Sequence, residues 1–430
     1  MTASEDVVTT VESHQMPLAR DSFERPSLLK GLTLIGPGAL LALLVAIATL
    51  TGVLGGKQGL LGGRGGLLEN YRGLNGALIL GSYFLFAGVL AMAVVLVLNT
   101  RGKEKRYWRN TLVAYLFVSP AVLITTIFTL VAIVYALYVS VHRFGIGQTS
   151  GRKAPEFLWL RNYAEAMTIP GSRRAEFWKS LATTLWLTIG SIPFQIALAL
   201  LIAVLLFRKM RGVDFYRTAF FLPYVTATIA LAQVWVVLFS RGEVGLVNNI
   251  LERVFGLPRQ GWLMEARSIF DILTGGLISW GPSQALSVIM GYSVWKYFGF
   301  SVVILLAGLS TISPEIYEAA QIDGANGWQR FLRMTVPLLS PQLYYVTLIS
   351  SIGSLKSFAT VYQLSIRASA GSGPGGPLDT TQTLVIYVFN QFWRDSYYGY
   401  GSALAMILFA VILLVTLIQQ RVAKEWVFYG

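Results

Sequence analysis

Eight long apolar stretches constrain the fold of this chain more than any other feature of its sequence. A helix needs about 20 apolar residues to cross the hydrocarbon core of a bilayer. Because backbone polar groups find no water there, each spanning helix has to satisfy them internally. We therefore predict an all-α polytopic membrane protein with about eight transmembrane helices, at Leu32–Leu54, Ala77–Leu98, Leu112–Val139, Leu181–Phe207, Ala219–Phe239, Leu286–Leu309, Leu338–Leu364 and Ser402–Ile418.

The composition excludes an ordinary soluble domain. Of the 430 residues, 54% are hydrophobic and 13% are charged, and the mean hydropathy is +0.60, which is typical of a polytopic membrane protein. The net charge of +13 does not indicate a nucleic-acid partner. The basic residues form short clusters beside apolar spans, where membrane lipid headgroups are their predicted partners, rather than a long stripe with interleaved aromatic residues.

The distribution of charge also predicts the orientation. Residues 1–30 mix acidic and basic side chains and lack the early apolar run of a cleavable signal, so we expect a cytoplasmic tail. An even number of spans places both termini on the same side of the membrane. That side is predicted to be cytoplasmic because two tight basic clusters fall in short loops there, namely Arg101, Lys103, Lys105, Arg106, Arg109 and Arg208, Lys209, Arg211, Arg217.

A polar segment at residues 313–341 lies between two of the predicted spans. Ser313 is a suitable N-cap, Pro314 fits the first position of a helix, and Glu315 complements the positive helix start. Gly324 provides a break after about two to three turns. The pattern predicts a short helix outside the lipid.

This segment resembles the EAA loop of ABC importer permeases. The family pattern of Glu-Ala-Ala, a nearby Gly and a hydrophobic-Pro end is matched by Glu318, Ala319, Ala320, Gly324, Val336 and Pro337. In that family the helix docks into a cleft of a cytoplasmic ATPase, and the two small alanines would let the partner surface approach closely. The coupling residues implied by the resemblance are Glu318, Ala319, Ala320, Asp323, Gly324 and Pro337.

The resemblance extends from about residue 112 to residue 420 and fits the MalF-like carbohydrate branch of these permeases. It implies a six-helix type I importer core at residues 112–430, which includes the EAA coupling loop at residues 313–341, and two extra N-terminal helices with their loops at residues 31–111. The motifs of that branch occur in order at Gly212, Phe215, Arg217, Leu222, Pro223, Trp235, Gly245, Asn248, Leu251, Gly256, Trp262, Trp295, Lys296, Gly375, Gly376, Pro377, Thr383, Leu384 and Tyr387.

A permease of this branch works in a complex. The resemblance implies a second homologous permease subunit around the translocation path and two ATPase subunits on the cytoplasmic face. It also implies an extracytoplasmic binding protein that delivers the sugar, which we expect to be a di- or oligosaccharide. This chain would bind no cofactor itself, because ATP and Mg would be held by the ATPase subunits. The implied location is the bacterial cytoplasmic (inner) membrane.

Polar and aromatic residues inside the predicted spans are candidates for the substrate path. A sugar is bound by hydrogen-bonding groups and by aromatic faces in a concave site, and polar groups within a membrane face the protein interior. For each candidate the alternative is a role in helix packing or in an interfacial belt. The candidates are Gln233, Trp235, Tyr292, Ser293, Trp295, Lys296, Tyr297, Ser350, Ser351, Ser354 and Lys356.

Other functions remain as alternatives. A permease for glycerol-phosphate or a polyol would share most of the same motifs. A secondary transporter would also be apolar, but it has no use for a helix that docks to an ATPase. An intramembrane enzyme would need a constellation of ionisable groups, and acidic residues are nearly absent from the predicted spans, so we expect a transporter subunit and not an enzyme.

Overall fold

The structure is a computed structural model, and the fold described below is that of the compact unit Ile133–Gly430. Two predicted spans, Leu32–Leu54 and Ala77–Leu98, lie outside the described residues, as do the tail at residues 1–30 and the basic cluster at residues 101–109. The described residues are 114, 117–119, 121–122, 124–150, 154–207, 211–278, 280–368 and 375–427.

Helices dominate the described part of the chain. A small hairpin pairs β1, His142–Arg143, with β2, Glu156–Phe157, in antiparallel register. Short π-helical turns occur at Thr126–Val131 and Phe331–Thr335, and a 3-10 turn at Pro377–Asp379. The α-helices are α1 Ala132–Ser140, α2 Ile146–Thr149, α3 Arg161–Met167, α4 Ser172–Phe207, α5 Val213–Val225, α6 Thr228–Leu238, α7 Leu246–Phe255, α8 Ile269–Thr274, α9 Gln284–Ser310, α10 Pro314–Ile322, α11 Gly327–Arg330, α12 Val336–Leu338, α13 Ser340–Leu355, α14 Ala359–Ala368, α15 Leu384–Trp393 and α16 Tyr398–Trp426.

Three predicted spans are confirmed as long apolar helices. Within the described residues, α4, α9 and α16 are the three helices that are long and apolar enough to cross a membrane. They contain the predicted spans Leu181–Phe207, Leu286–Leu309 and Ser402–Ile418 and extend beyond each of them. Helix α9 begins two residues earlier than predicted because the hydroxyl of Ser283 accepts a hydrogen bond from the backbone N–H of Leu286 at 3.1 Å.

The predicted span Ala219–Phe239 is wrong as a single helix. The chain forms α5 and α6, which meet at an angle of 95°. Pro223, in the last turn of α5, has no N–H to continue the helical ladder. Thr226 then adopts an extended backbone with φ −67° and ψ 143°, so α5 ends there and the chain changes direction. Counted as one bent span, this pair raises the number of described candidate spans to four.

The predicted span Leu338–Leu364 is also interrupted. Helix α13 ends at Leu355, residues 356–358 separate it from α14, and the polar side chain of Lys356 lies at the break. The predicted span Leu112–Val139 is described only in part, and its described end forms a π-helical turn followed by α1. The predicted total of eight spans is therefore not confirmed.

Lys296 on α9 satisfies backbone groups at the bend between α5 and α6. Its side chain is buried, with 3% of the residue exposed. Its ammonium donates hydrogen bonds to the carbonyl oxygens of Thr226 at 2.9 Å and Pro223 at 3.2 Å. Carbonyls at the end of a helix have no helical donor, and hydrogen bonds from a charged donor are the stronger kind. Lys296 thus stabilises the broken helix from a neighbouring one.

A glycine lets α9 approach α5 closely. A Cβ atom at Gly299 would lie 2.0 Å from the carbonyl oxygen of Phe220. The ring of Phe220 packs edge-on against that of Phe298, with 5.8 Å between ring centroids. The same part of α9 packs against small residues of α4, including Ala199 and Ala203, in a buried apolar cluster. Contact between α9 and its two neighbours therefore depends on small side chains.

We expect the substitution Gly299→Ala to destabilise the fold. The added methyl group would meet a backbone carbonyl that cannot rotate away, and overpacking of this kind costs about 1–3 kcal/mol. Thermal unfolding of the detergent-solubilised chain, followed by intrinsic fluorescence, measures the effect. The control is Gly291→Ala on the same helix, whose nearest neighbour is Trp235 at 3.9 Å. Equal unfolding midpoints for both variants would contradict the close approach.

Replacement of Lys296 by Met should lower the unfolding midpoint by a different mechanism. Each buried carbonyl left without a donor costs roughly 1–3 kcal/mol, and Lys296→Met leaves the carbonyls of Thr226 and Pro223 in that state. The control is Lys356→Met, which removes the exposed lysine at the other helix break. If the two variants unfold at the same temperature in the same assay, Lys296 does not hold the bend.

Candidate functional site

A short capped helix follows α9 after three residues. Helix α10 begins at Pro314, and the hydroxyl of Ser313 accepts a hydrogen bond from the backbone N–H of Glu315 at 3.3 Å. Glu315 places a carboxylate in the first turn, where it complements the helix dipole. The predicted helix and its N-cap are confirmed.

Gly324 terminates α10 in the left-handed conformation, with φ +81°. The N–H of Ala325 donates to the carbonyl of Ala320 at 2.9 Å, and the N–H of Gly324 donates to that of Gln321 at 3.1 Å. These two bonds form a Schellman motif, which requires a left-handed residue after the helix. A residue with a Cβ atom is strained in that conformation, so the sharp turn after α10 depends on Gly324.

Local hydrogen bonds fold the rest of the segment back onto α10. Asn326 and Gln329 form a reciprocal capping box at the start of α11, with bonds of 2.8 and 2.9 Å. The hydroxyls of Tyr317 on α10 and Thr335 on the following π-helical turn lie 3.1 Å apart. Pro337 then occupies the first turn of α12. Residues 313–337 form a compact structure at the end of α9 and are hereafter called the coupling segment, after the role predicted for them.

The predicted coupling residues differ in exposure. Glu318, Ala319 and Asp323 are exposed, and among the described residues no cation pairs with the carboxylate of Glu318. Ala320 is buried, with 1% of its surface exposed. The small side chain of Ala320 therefore permits packing within the segment. We predicted that both alanines allow close approach of a partner surface, and the exposure of the two residues fits that role for Ala319 alone.

Two large apolar side chains of the coupling segment were missed by the sequence analysis. Ile322 at the end of α10 is 87% exposed, and Trp328 on α11 is 66% exposed. Trp328 stacks on Phe331 with 5.6 Å between ring centroids. Exposed apolar groups close together mark interaction surfaces. The signal that could have found them is a large apolar residue in a segment predicted to lie outside the lipid.

A second feature is a cavity of about 480 Å³ beside the middle of α4 and α9. Both helix breaks contribute to its wall. Five of the predicted path residues line it together with residues that were not predicted. The lining comprises Ser191, Gln195, Tyr224, Thr228, Ser293, Tyr297, Phe300, Ile349, Ser350, Gly353, Ser354, Lys356, Ser357, Phe358, Ala359 and Thr360.

Three predicted path residues belong to a packed aromatic cluster instead. The rings of Trp235, Tyr292 and Trp295 contact one another, with centroid distances of 5.4 to 6.3 Å. Tyr292 is fully buried, and its hydroxyl donates to the carbonyl of Thr228 at 3.0 Å. The structure thus places these residues in the apolar core, which was the alternative role considered for them.

Three more predicted path residues lie away from the cavity wall. The ammonium of Lys296 donates hydrogen bonds to carbonyl oxygens at the bend between α5 and α6. Ser351 is buried and accepts a hydrogen bond from the side-chain amide of Gln419 at 2.7 Å, which joins α13 to α16. Gln233 is half-buried on α6 and is not part of the cavity lining.

Gln195 is the most informative cavity residue that the sequence analysis missed. It is buried near the middle of α4, and its amide nitrogen donates to the hydroxyls of Ser301 at 2.9 Å and Ser350 at 3.0 Å. Close by, the hydroxyls of Thr188 and Ser354 lie 3.1 Å apart. Exposure of an amide side chain to lipid costs free energy. A glutamine within a long apolar stretch is therefore expected to face the protein interior, and this signal was available in the sequence.

The cavity combines many hydroxyl groups with aromatic rings. Serine and threonine hydroxyls both donate and accept hydrogen bonds, as the hydroxyl groups of a sugar do. Tyr224, Tyr297 and Phe300 supply ring faces, and the rings of Tyr224 and Phe300 stack at 4.9 Å. Such a wall can bind a molecule with apolar faces and polar edges.

Comparisons with known proteins agree with this geometry. The chain is similar to a probable ABC transporter permease protein, YesP, of Bacillus subtilis, with 31% identity over 330 residues, 76% of this chain and 95% of the relative. It is also similar to the lactose transport system permease protein LacF of Rhizobium radiobacter, with 29% identity over 331 residues. The aligned region covers 76% of this chain and 98% of that relative.

A solved structure shares the fold. The crystal structure of a bacterial ABC transporter involved in import of the acidic polysaccharide alginate aligns with a TM-score of 0.57 and 20% identity, over 75% of this chain and 99% of that one. The model of the family described as binding-protein-dependent transport system inner membrane component matches residues 168–427. The resemblance drawn from the sequence motifs is thereby confirmed: the chain belongs to the family of inner membrane components of binding-protein-dependent transport systems.

Proposed function

We propose that this chain forms half of the translocation path of an ATP-driven importer for a di- or oligosaccharide. The observation that carries the proposal is the position of α9, which lines the cavity with Ser293 and Tyr297 and leads directly into the coupling segment. A helix rises about 1.5 Å per residue, so roughly 20 Å separates Tyr297 from the end of α9. One continuous helix therefore connects the cavity with the exposed segment.

The coupling segment docks on a partner ATPase in this proposal. Glu318, Ala319 and Asp323 supply the polar part of the docking surface, and Ile322 and Trp328 supply the apolar part. Two ATPase subunits bind ATP and Mg, and their closure moves the segment as a rigid body because its ends are tied by local hydrogen bonds. The movement switches the path between outward-facing and inward-facing states, as two discrete packings of an interface allow.

The remaining partners complete the path. A second homologous permease subunit closes the cavity, and an extracytoplasmic binding protein delivers the substrate. The coupling segment and both termini face the cytoplasm, with lipid around the long apolar helices. Support comes from the family description, which names both a binding protein and the inner membrane.

A sugar is the substrate that best fits the cavity wall. Ser293, Tyr297, Ser354 and Lys356 line the cavity, and its volume of about 480 Å³ falls in the range of small-molecule sites. The similarity to a lactose transport permease supports the same class of substrate. The sugar stacks on the aromatic faces while the hydroxyls exchange hydrogen bonds with it.

Substitution of Gly324 by Ala tests the coupling. An alanine in the left-handed conformation costs roughly 1–2 kcal/mol, so the docking geometry should be populated about 5- to 30-fold less. With the complete complex in liposomes, we expect stimulation of ATP hydrolysis by the sugar-loaded binding protein to fall several-fold, and uptake to fall at least as far.

The matched control for this test is Gly327→Ala, three residues later. Gly327 lies in α11, and a Cβ atom there would meet nothing within 4 Å. Uptake and ATP hydrolysis should stay near the wild-type level. Wild-type coupling in Gly324→Ala, or an equal loss in both variants, argues against the coupling role of the turn.

Removal of one hydroxyl tests the substrate path. Tyr297→Phe should lower the rate of uptake at saturating loaded binding protein by roughly 2- to 10-fold, the equivalent of one hydrogen bond of about 0.5–1.5 kcal/mol. Tyr292→Phe removes the same group five residues earlier on α9, from a buried tyrosine outside the cavity. It should lower thermal stability and leave the uptake rate of the folded complex unchanged. Unchanged uptake in Tyr297→Phe together with slower uptake in Tyr292→Phe would contradict the assignment of the cavity to the substrate path.

A further inference from the structure

The charge of the cavity wall is unbalanced. Of the sixteen lining residues, Lys356 carries the one formal charge, and none is an aspartate or a glutamate. The other polar members are serines, threonines, tyrosines and one glutamine, all neutral. The wall therefore presents a cation and neutral hydrogen-bonding groups to whatever occupies the cavity.

The two lysines of the predicted spans have different surroundings. The ammonium of Lys296 is buried and bonded to two carbonyl oxygens. Lys356 follows the last residue of α13 and is exposed on the cavity wall. Among residues that the structure describes, no carboxylate forms an ion pair with Lys356. The ammonium of Lys356 is thus available to a ligand, whereas the ammonium of Lys296 is already hydrogen-bonded to backbone carbonyls.

A cation without an ionic partner inside a predicted span needs an explanation. Ionisable side chains within membrane segments are costly and commonly mark substrate pathways. The hydroxyl groups of Ser354 and Ser357 stand beside Lys356 on the same wall, and they can donate further hydrogen bonds to an anion. An anionic group on the substrate would both neutralise the charge and receive these donors.

We propose that the cavity selects substrates that are polyhydroxylated and carry at least one anionic group, which pairs with the ammonium of Lys356. This inference rests on the proposed import function and narrows its substrate class. Two kinds of molecule share the required chemistry, a sugar with a carboxylate, such as a uronic acid oligosaccharide, and a polyol phosphate. The aromatic faces of Tyr224, Tyr297 and Phe300 favour the acidic sugar, whose rings they can stack on.

The test uses the complete complex in liposomes with three probes: digalacturonate, glycerol 3-phosphate and the neutral disaccharide maltose. ATP-dependent uptake is measured at saturating binding protein, after the affinity of that protein for each probe has been determined separately. The proposal predicts wild-type uptake of at least one anionic probe. Lys356→Met should lower that uptake at least tenfold, while Lys356→Arg, which keeps the charge, should stay within about threefold of the wild type.

The outcomes separate the possible sources of the effect. Loss of digalacturonate uptake in Lys356→Met assigns the carboxylate, and loss of glycerol 3-phosphate uptake assigns the phosphate. Equal uptake of the anionic probe by Lys356→Met and wild type would overturn the proposal. So would uptake of maltose alone, which leaves the sugar importer intact.

Two further results bear on the same question. If Lys356→Met fails to co-purify with the second permease subunit while Lys356→Arg does so, the lysine pairs with that subunit and the proposal is wrong. Absence of ATP-dependent uptake for all three probes overturns the narrower inference. The import function itself is contradicted only if no sugar-loaded binding protein stimulates ATP hydrolysis by the complex.

Discussion

Satisfaction of backbone hydrogen bonds away from water is the constraint on which the rest of this structure depends. A continuous helix meets it alone, as α4, α9 and α16 do. A broken helix cannot, because the groups at the break lose their helical partners. The bend between α5 and α6 is stabilised because Lys296, on another helix, donates hydrogen bonds to the carbonyls of Pro223 and Thr226. A charged residue in an apolar span here has a structural task.

The two helix breaks and the cavity are aspects of one arrangement. Thr228, the first residue of α6 after the bend, lines the cavity, and so do residues 356–360 around the break between α13 and α14. Non-helical backbone at membrane depth is tolerated where it faces protein or a polar cavity, and binding sites of transporters often form at discontinuous helices. The breaks thus contribute Thr228, Lys356, Ser357 and Thr360 to the polar part of the cavity wall.

The features predicted well from the sequence depend on residues that are close together in the chain or on hydropathy summed over a segment. The cap at Ser313 and the turn at Gly324 depend on bonds between residues at most five positions apart, and the long helices follow from summed hydropathy. The bend at Thr226 could not be predicted this way, since hydropathy carries no information on chain direction. The roles of Lys296 and Gln195 depend on partners about 70 and more than 100 positions away, so residue type alone could mark them as interior but could not separate a structural lysine from one on the cavity wall.

Helix α9 contributes both to the tight packing of this chain and to its cavity wall. It contacts α5 through Gly299, holds the bend through Lys296, lines the cavity through Tyr297 and ends at the coupling segment. A displacement of its C-terminal end cannot be absorbed at Gly299, because the backbones of α9 and α5 are already in contact there. It has to shift α5 with it or rotate the face that carries Tyr297. Tight packing in the middle of α9 is therefore what would turn a movement outside the membrane into a change of shape in the cavity.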